Sequence, residues 1–137
     1  MKVPFRELGR AGLTLPNFDE PRCFVFGSDD AVRRVYGLNS LGPSPDFSRS
    51  VVIAVHRGQA RSGGHDIKVE GVESDGGQVA VHVRRIDPPP GAFVTMALTY
   101  PRTLVRVKRD DLGGTGPWTF GFFDEKGHLL ATGHEQV

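Results

Sequence analysis

His65-Asp66-Ile67-Lys68-Val69-Glu70-Gly71-Val72-Glu73-Ser74-Asp75-Gly76-Gly77-Gln78-Val79-Ala80-Val81-His82-Val83-Arg84-Arg85 is the stretch that decides the fold. Ile67 and Val69 alternate with Lys68 and Glu70, and Val79, Val81 and Val83 alternate with Ala80, His82 and Arg84. A period of two sends the apolar residues to one face of a strand and the polar ones to the other. Between the two runs lies Ser74-Asp75-Gly76-Gly77, where the glycines supply the positive φ of a tight turn. The stretch therefore predicts a β-hairpin, His65 to Glu73 with Gln78 to Arg85, buried on one face and wet on the other. Gly71 ahead of Val72 breaks the alternation and predicts a bulge.

Working upstream, Val51-Val52-Ile53-Ala54-Val55 is a continuous apolar run rich in β-branched residues, the pattern of a central strand covered on both faces. A polar, glycine-rich connection, Arg57 to Gly64, joins it to the hairpin. Further back, Arg22-Cys23-Phe24-Val25-Phe26 reads as a strand stopped by Gly27. The one good helix signal follows. Ser28 is suited to cap the amide end, and Asp29 and Asp30 suit the first turn. Ala31, Val32, Val35 and Tyr36 then recur at helical spacing, and Gly37 is a C-terminal stop. This predicts a helix from Asp29 to Tyr36, short enough to depend on tertiary packing. Val3 to Leu8 reads as a short edge strand broken up by Gly9, Gly12 and Pro16, and Leu38 to Ser50 as a loop.

Downstream, Asp87-Pro88-Pro89-Pro90-Gly91 is extended and excluded from a central strand. Ala92 to Thr99 fits strand or loop equally. Thr103 to Arg109 reads as another strand. Trp118 to Phe123 and His128 to Thr132 flank Asp124-Glu125-Lys126-Gly127 as a second hairpin. With 18 glycines and 10 prolines in 137 residues, the chain is punctuated for many short strands. The expectation is a mainly β fold, a small antiparallel sandwich or partly open barrel with one short helix, in a single domain spanning 1–137. That length supports a core without disulfides or metals.

A formal net charge of +1 gives no global reason to expect nucleic acid or an anionic membrane as partner. No run approaches the roughly 20 apolar residues of a membrane span. No secretory signal is evident, and Glu20-Pro21-Arg22 ahead of Cys23 is too charged for lipid attachment. As given, the chain reads as cytoplasmic, or as extracytoplasmic if a leader has been removed. The lone Cys23 lies in an apolar context and reads as a small buried hydrophobe. Five histidines show no metal-ligand spacing, so neither metal nor cofactor is expected. No catalytic residues are assigned: there is no serine elbow, and Asp29-Asp30 and Asp110-Asp111 are explained by a cap and a turn. The basic side chains Arg57, Arg61, His82, Arg84, Arg85, Arg102, Arg106 and Lys108 lack the interleaved aromatics of an RNA-reading sheet and read as a solvated face. Trp118 beside Pro117 reads as core packing.

Several pieces, in order, carry a family resemblance. They are Asp46-Phe47-Ser48 before the run Val51 to Val55, then Gly58-Gln59, then Ser62-Gly63-Gly64-His65-Asp66-Ile67. The hairpin with Gly76-Gly77 and the segment Gly91-Ala92-Phe93-Val94-Thr95-Met96-Ala97-Leu98-Thr99-Tyr100-Pro101 complete the set. From about Asp46 to Arg109 the chain resembles the C-terminal domain of PrcB, a subunit of a bacterial protease complex. The family loop usually reads Thr-Gly-Gly-Tyr where this chain has Ser62-Gly63-Gly64-His65, and a usual glutamine is Met96. The resemblance implies a non-enzymatic module that binds a protease or another protein through loops at one end of the sheet. The residues it points to are Arg61, Ser62, Gly63, Gly64, His65, Phe93, Thr95 and Tyr100. Two alternatives stand beside it: a small-ligand binder or enzyme using His65 and Asp66, and a self-associating structural protein, as a homodimer through an exposed edge strand. A pocket with a shifted histidine would favour the ligand binder; a flat apolar patch around the two loops would favour protein binding.

Overall fold

The computed structural model describes residues 1–8, 15–37, 45–113 and 116–136. The expected breaks at Gly9 and Gly12, and the first part of the Leu38 to Ser50 loop, lie outside the described residues. Among these residues eight strands form one sheet: β1 (Phe5–Glu7), β2 (Arg22–Phe26), β3 (Ser50–His56), β4 (Asp66–Asp75), β5 (Gln78–Ile86), β6 (Arg102–Lys108), β7 (Thr119–Phe123) and β8 (Leu129–Gln136). Their order across the sheet is β1-β6-β3-β2-β8-β7-β5-β4.

The sheet curls toward closure because one segment touches both of its ends. The Val3 N–H donates to the Val72 carbonyl at 2.8 Å, and the Ser74 N–H donates to the Met1 carbonyl at 2.8 Å, tying the N-terminus to β4. A few residues on, Phe5 to Glu7 pair with β6. The result is a nearly closed, barrel-like sheet with one short helix, as the sequence predicts. It is not wholly antiparallel. β2 runs parallel to β8, and β5 runs parallel to β7. Both parallel pairs join strands distant in the chain, which hairpin signals do not register.

The barrel interior holds the alternating residues of the first hairpin, Ile67, Val69, Val72, Val79, Val81 and Val83, together with Val51, Ile53, Val55, Phe120 and Phe122. A second cluster lies outside the barrel. There helix α1 (Asp29–Tyr36) sets Ala31, Val32 and Tyr36 over Val52 and Ala54 of β3 and Leu104 of β6. β3 is thus buried at every position, which accounts for its unbroken apolar run. Helix α1 has the expected ends: the Ala31 N–H donates to Ser28 Oγ at 3.1 Å, and Gly37, at φ 89°, donates its N–H to the Arg33 carbonyl at 2.9 Å. The tight turn carries Gly76 at φ 55° and Gly77 at φ 89°. The register shift falls between Val69 and Gly71, where the pattern breaks. Thr103 to Lys108 extend as expected, but Arg109 opens a single helical turn, α2 (Arg109–Leu112). No helix among the described residues is long and apolar enough to cross a membrane.

Candidate functional site at the barrel mouth

Two returns meet at one end of the barrel. Residues 57–65 lead from β3 to β4, and residues 87–101 lead from β5 to β6. Each carries glycine or proline that keeps it out of a regular strand, so their backbone groups seek one another. The Ala60 N–H donates to the Thr99 carbonyl at 2.8 Å, and the Thr99 N–H donates back to the Ala60 carbonyl at 2.9 Å. The Gly63 N–H donates to the Thr95 carbonyl at 2.8 Å. Thr99 Oγ1 donates to the Ser62 carbonyl at 2.8 Å, and Gln59 Nε2 donates to the Tyr100 hydroxyl at 3.1 Å. The ambiguous stretch Ala92 to Thr99 is therefore a loop, held by backbone bonds to its neighbour.

Arg57 and Asp87 anchor this mouth. Arg57 Nη1 donates to the Asp66 carbonyl at 2.9 Å and to the Ile86 carbonyl at 2.8 Å, and Nη2 pairs with the Asp87 carboxylate. One side chain from the end of β3 thereby joins the start of β4 to the end of β5. His65 Nδ1 lies 2.9 Å from the same Asp87 oxygen. The hydrogen bond from His65, and then that from Arg57, hold the Asp87 carboxyl below its ordinary range. His65 is thus partnered by Asp87 and not by its neighbour Asp66, whose Oδ1 accepts the Ile67 N–H at 2.8 Å.

The eight residues singled out by resemblance fall at this end and divide by role. Gly64 is a packing residue. At φ +87° it sits where a Cβ would lie 2.9 Å from Pro88 and 3.0 Å from Val94. Thr95 contributes its carbonyl, and Tyr100 its hydroxyl, to holding the loops together. Ser62 is half-buried and bonded through its carbonyl, while Gly63 has room for a Cβ at ordinary contact with Thr95. Arg61 and Phe93 face solvent, and Phe93 is exposed completely, at 107%. Sequence reasoning missed two companions on the same loop: Met96 at 85% and Leu98 at 58% exposure. Their signal was three large apolar residues in a segment with neither helical nor strand periodicity.

Arg57 and Asp87 were also missed as a structural pair, because nothing local in the sequence joins residues thirty apart. Several of the basic side chains are paired with acids. Arg84 pairs with Glu70 at 3.5 Å, and Arg85 pairs with Asp124 at 3.4 Å and Glu125 at 3.0 Å. Cys23 lines the barrel mouth, where burial pushes its thiol up to about 12. Trp118 is core, with Nε1 donating to the Gly113 carbonyl at 2.8 Å. Beside the two loops an open groove of about 730 Å³ runs between β4 and β6, lined among others by His65, Asp66, Tyr100, Arg102 and Thr103.

Comparison with known families bears on this arrangement. Residues 51–108 match the family described as PrcB C-terminal. The matched stretch begins in β3 and ends in β6, so it contains both loops and the Arg57 anchor as well. The N-terminal strand, helix α1 and the β7–β8 hairpin lie outside it. No curated protein and no solved structure gives a significant match to the chain.

Proposed function

We propose that this chain is a non-catalytic protein-binding module that assists or modulates a partner protease through the two loops at the barrel mouth. The observation that carries the reading is the exposure of Phe93, Met96 and Leu98 on a loop that is itself tied down. Exposed large apolar side chains cost solubility and are retained where another surface covers them. Holding their backbone in place before binding reduces the ordering entropy that association would otherwise consume. The protease as partner rests on the resemblance to PrcB. Nothing in the reading requires a reacting group at His65, whose Nδ1 is engaged by Asp87.

Affinity capture from the native cell extract, followed by mass spectrometry, tests the proposal. The expected result is recovery of a protease, lost with the Phe93→Ala, Met96→Ser double variant. Recovery of no stable partner, together with a solution mass of two chains, would replace the reading with self-association.

A further inference from the structure

The groove between β4 and β6 adjoins the exposed loop, since its wall begins at Thr99 and Tyr100, directly after Leu98. Two features of that wall are short of partners among the described residues. Arg102 is half-buried, and among the described residues its side chain donates to Asn17 Oδ1 alone, from Nη1 at 3.3 Å; no carboxylate among them pairs with it. Arg57, Arg85 and Arg109, by contrast, each hold one. The second feature is backbone. β1 pairs with β6 as far as Val105, and the Leu8 N–H reaches the Leu104 carbonyl at 2.9 Å. Strand alternation then turns the N–H and C=O of Arg102, two residues back, toward the same side, beyond the last pairing with β1.

We propose that this groove receives an extended segment of the bound protein, with an acidic side chain of that segment set against Arg102. The inference rests on the protein-binding reading above and names what the partner presents. A strand edge that no described residue pairs at Arg102 suits an extended chain, which supplies main-chain hydrogen bonds to it. A half-buried guanidinium without a carboxylate selects an acid, by a charge-assisted and often bidentate bond. Leu8, Leu15 and Leu104 give the flanking residues of the segment an apolar wall. The lining carboxylate Asp66 stands on the opposite wall, on β4, with Oδ1 turned to the Ile67 N–H. The volume matches a few residues of peptide, not a whole domain.

Panning one random peptide-display library on the wild-type chain and on the Arg102→Glu and Phe93→Ala, Met96→Ser variants tests this. The wild-type pool should be enriched in Asp or Glu beside apolar residues. Arg102→Glu should remove the acidic enrichment, by about tenfold for one charge-assisted bond, and leave the apolar enrichment in place. If circular dichroism shows Arg102→Glu to be unfolded, Arg102→Gln serves, with the same acidic loss expected. Equal acidic enrichment on the wild type and the Arg102 variant, or no enrichment at all, would overturn the proposal. The loop reading fails separately: apolar enrichment that survives Phe93→Ala, Met96→Ser while acidic enrichment still follows Arg102 would leave the groove standing without the patch.

Discussion

β3 and the segment from Gly91 to Thr99 use the same kind of side chain in opposite ways. Val51 to Val55 are exposed by 1% or less, closed in by the barrel interior on one face and by helix α1 on the other. Phe93, Met96 and Leu98 are at least 58% exposed. Val51 to Val55 and the loop both fall within residues 51–108, the segment matched by the PrcB C-terminal family. The difference shows that one segment carries both the scaffold and the surface that the scaffold presents. Apolar content alone does not distinguish them. What does is whether the backbone is paired on both sides, as in β3, or held at a few points, as in the loop.

The contrast is sharpest if core and surface substitutions separate stability from binding. Ile53→Ala removes a side chain with no exposure from the barrel interior and should cost about 4 kcal/mol in denaturant unfolding. A cost below about 1 kcal/mol would mean that the strand is less tightly enclosed than its burial indicates.

The next largest effect is on pH dependence. His56 closes β3 and is 3% exposed, with Nε2 at 2.5 Å from the Tyr36 hydroxyl. Burial, and secondarily the Arg102 charge, bring the imidazole down to about 4, while burial pushes the Tyr36 phenol up. The neutral ring therefore accepts the phenol proton at Nε2. Above the ordinary histidine range neither folded nor unfolded chains bind the proton, so stability is full. As pH falls from about 6.5 toward 4, the unfolded chain takes up a proton that the folded one refuses, and stability drops by up to about 3 kcal/mol. Urea midpoints measured from pH 7 to pH 4.5 should decline in the wild type and decline less steeply in His56→Gln, which keeps only the carboxylate titrations that both proteins share below about pH 5. Parallel slopes in the two proteins would show that His56 protonates freely when folded.

At the mouth, Arg57→Met strands two carbonyls and leaves the Asp87 carboxylate with His65 alone. It should destabilise by about 2 kcal/mol, a moderate figure because Asp87 is exposed. Arg57→Lys should recover only part of this, since a single ammonium does not span the same acceptors. Thermal unfolding distinguishes the outcomes, and an unaffected Arg57→Met protein would mean that the loops hold themselves. Smaller still is the difference between adjacent glycines. Gly64→Ala should cost about 1–2 kcal/mol, from the positive φ and the close approach to Pro88, whereas Gly63→Ala should cost less than about 0.5 kcal/mol. Equal costs would refute the assignment of Gly64 as the packing residue of the pair.

Much of the scaffold was legible because its signals are local. The cap at Ser28, the stop at Gly37, the alternation through Val83 and the phase break at Gly71 each act within a few residues of themselves. The parallel pairings of β2 with β8 and β5 with β7 were not legible, since barrel closure chooses these partners and no turn announces them. The site was legible in outline through its glycine and aromatic positions. Its anchors were not. Arg57 meets Asp87 across thirty residues, and Tyr36 meets His56 across twenty, through folding alone. Met96 and Leu98 were passed over because an apolar residue reads as core until the structure shows that nothing covers it.

The central claim is that the Gly91 to Thr99 loop is a binding surface and not part of the scaffold. The direct measurement pairs quantitative capture from native extract with urea unfolding, for the wild type and for Phe93→Ala, Met96→Ser. Stability unchanged to within about 0.5 kcal/mol, with partner recovery lost, is the predicted result. Undiminished recovery, or a collapse in stability, would contradict it.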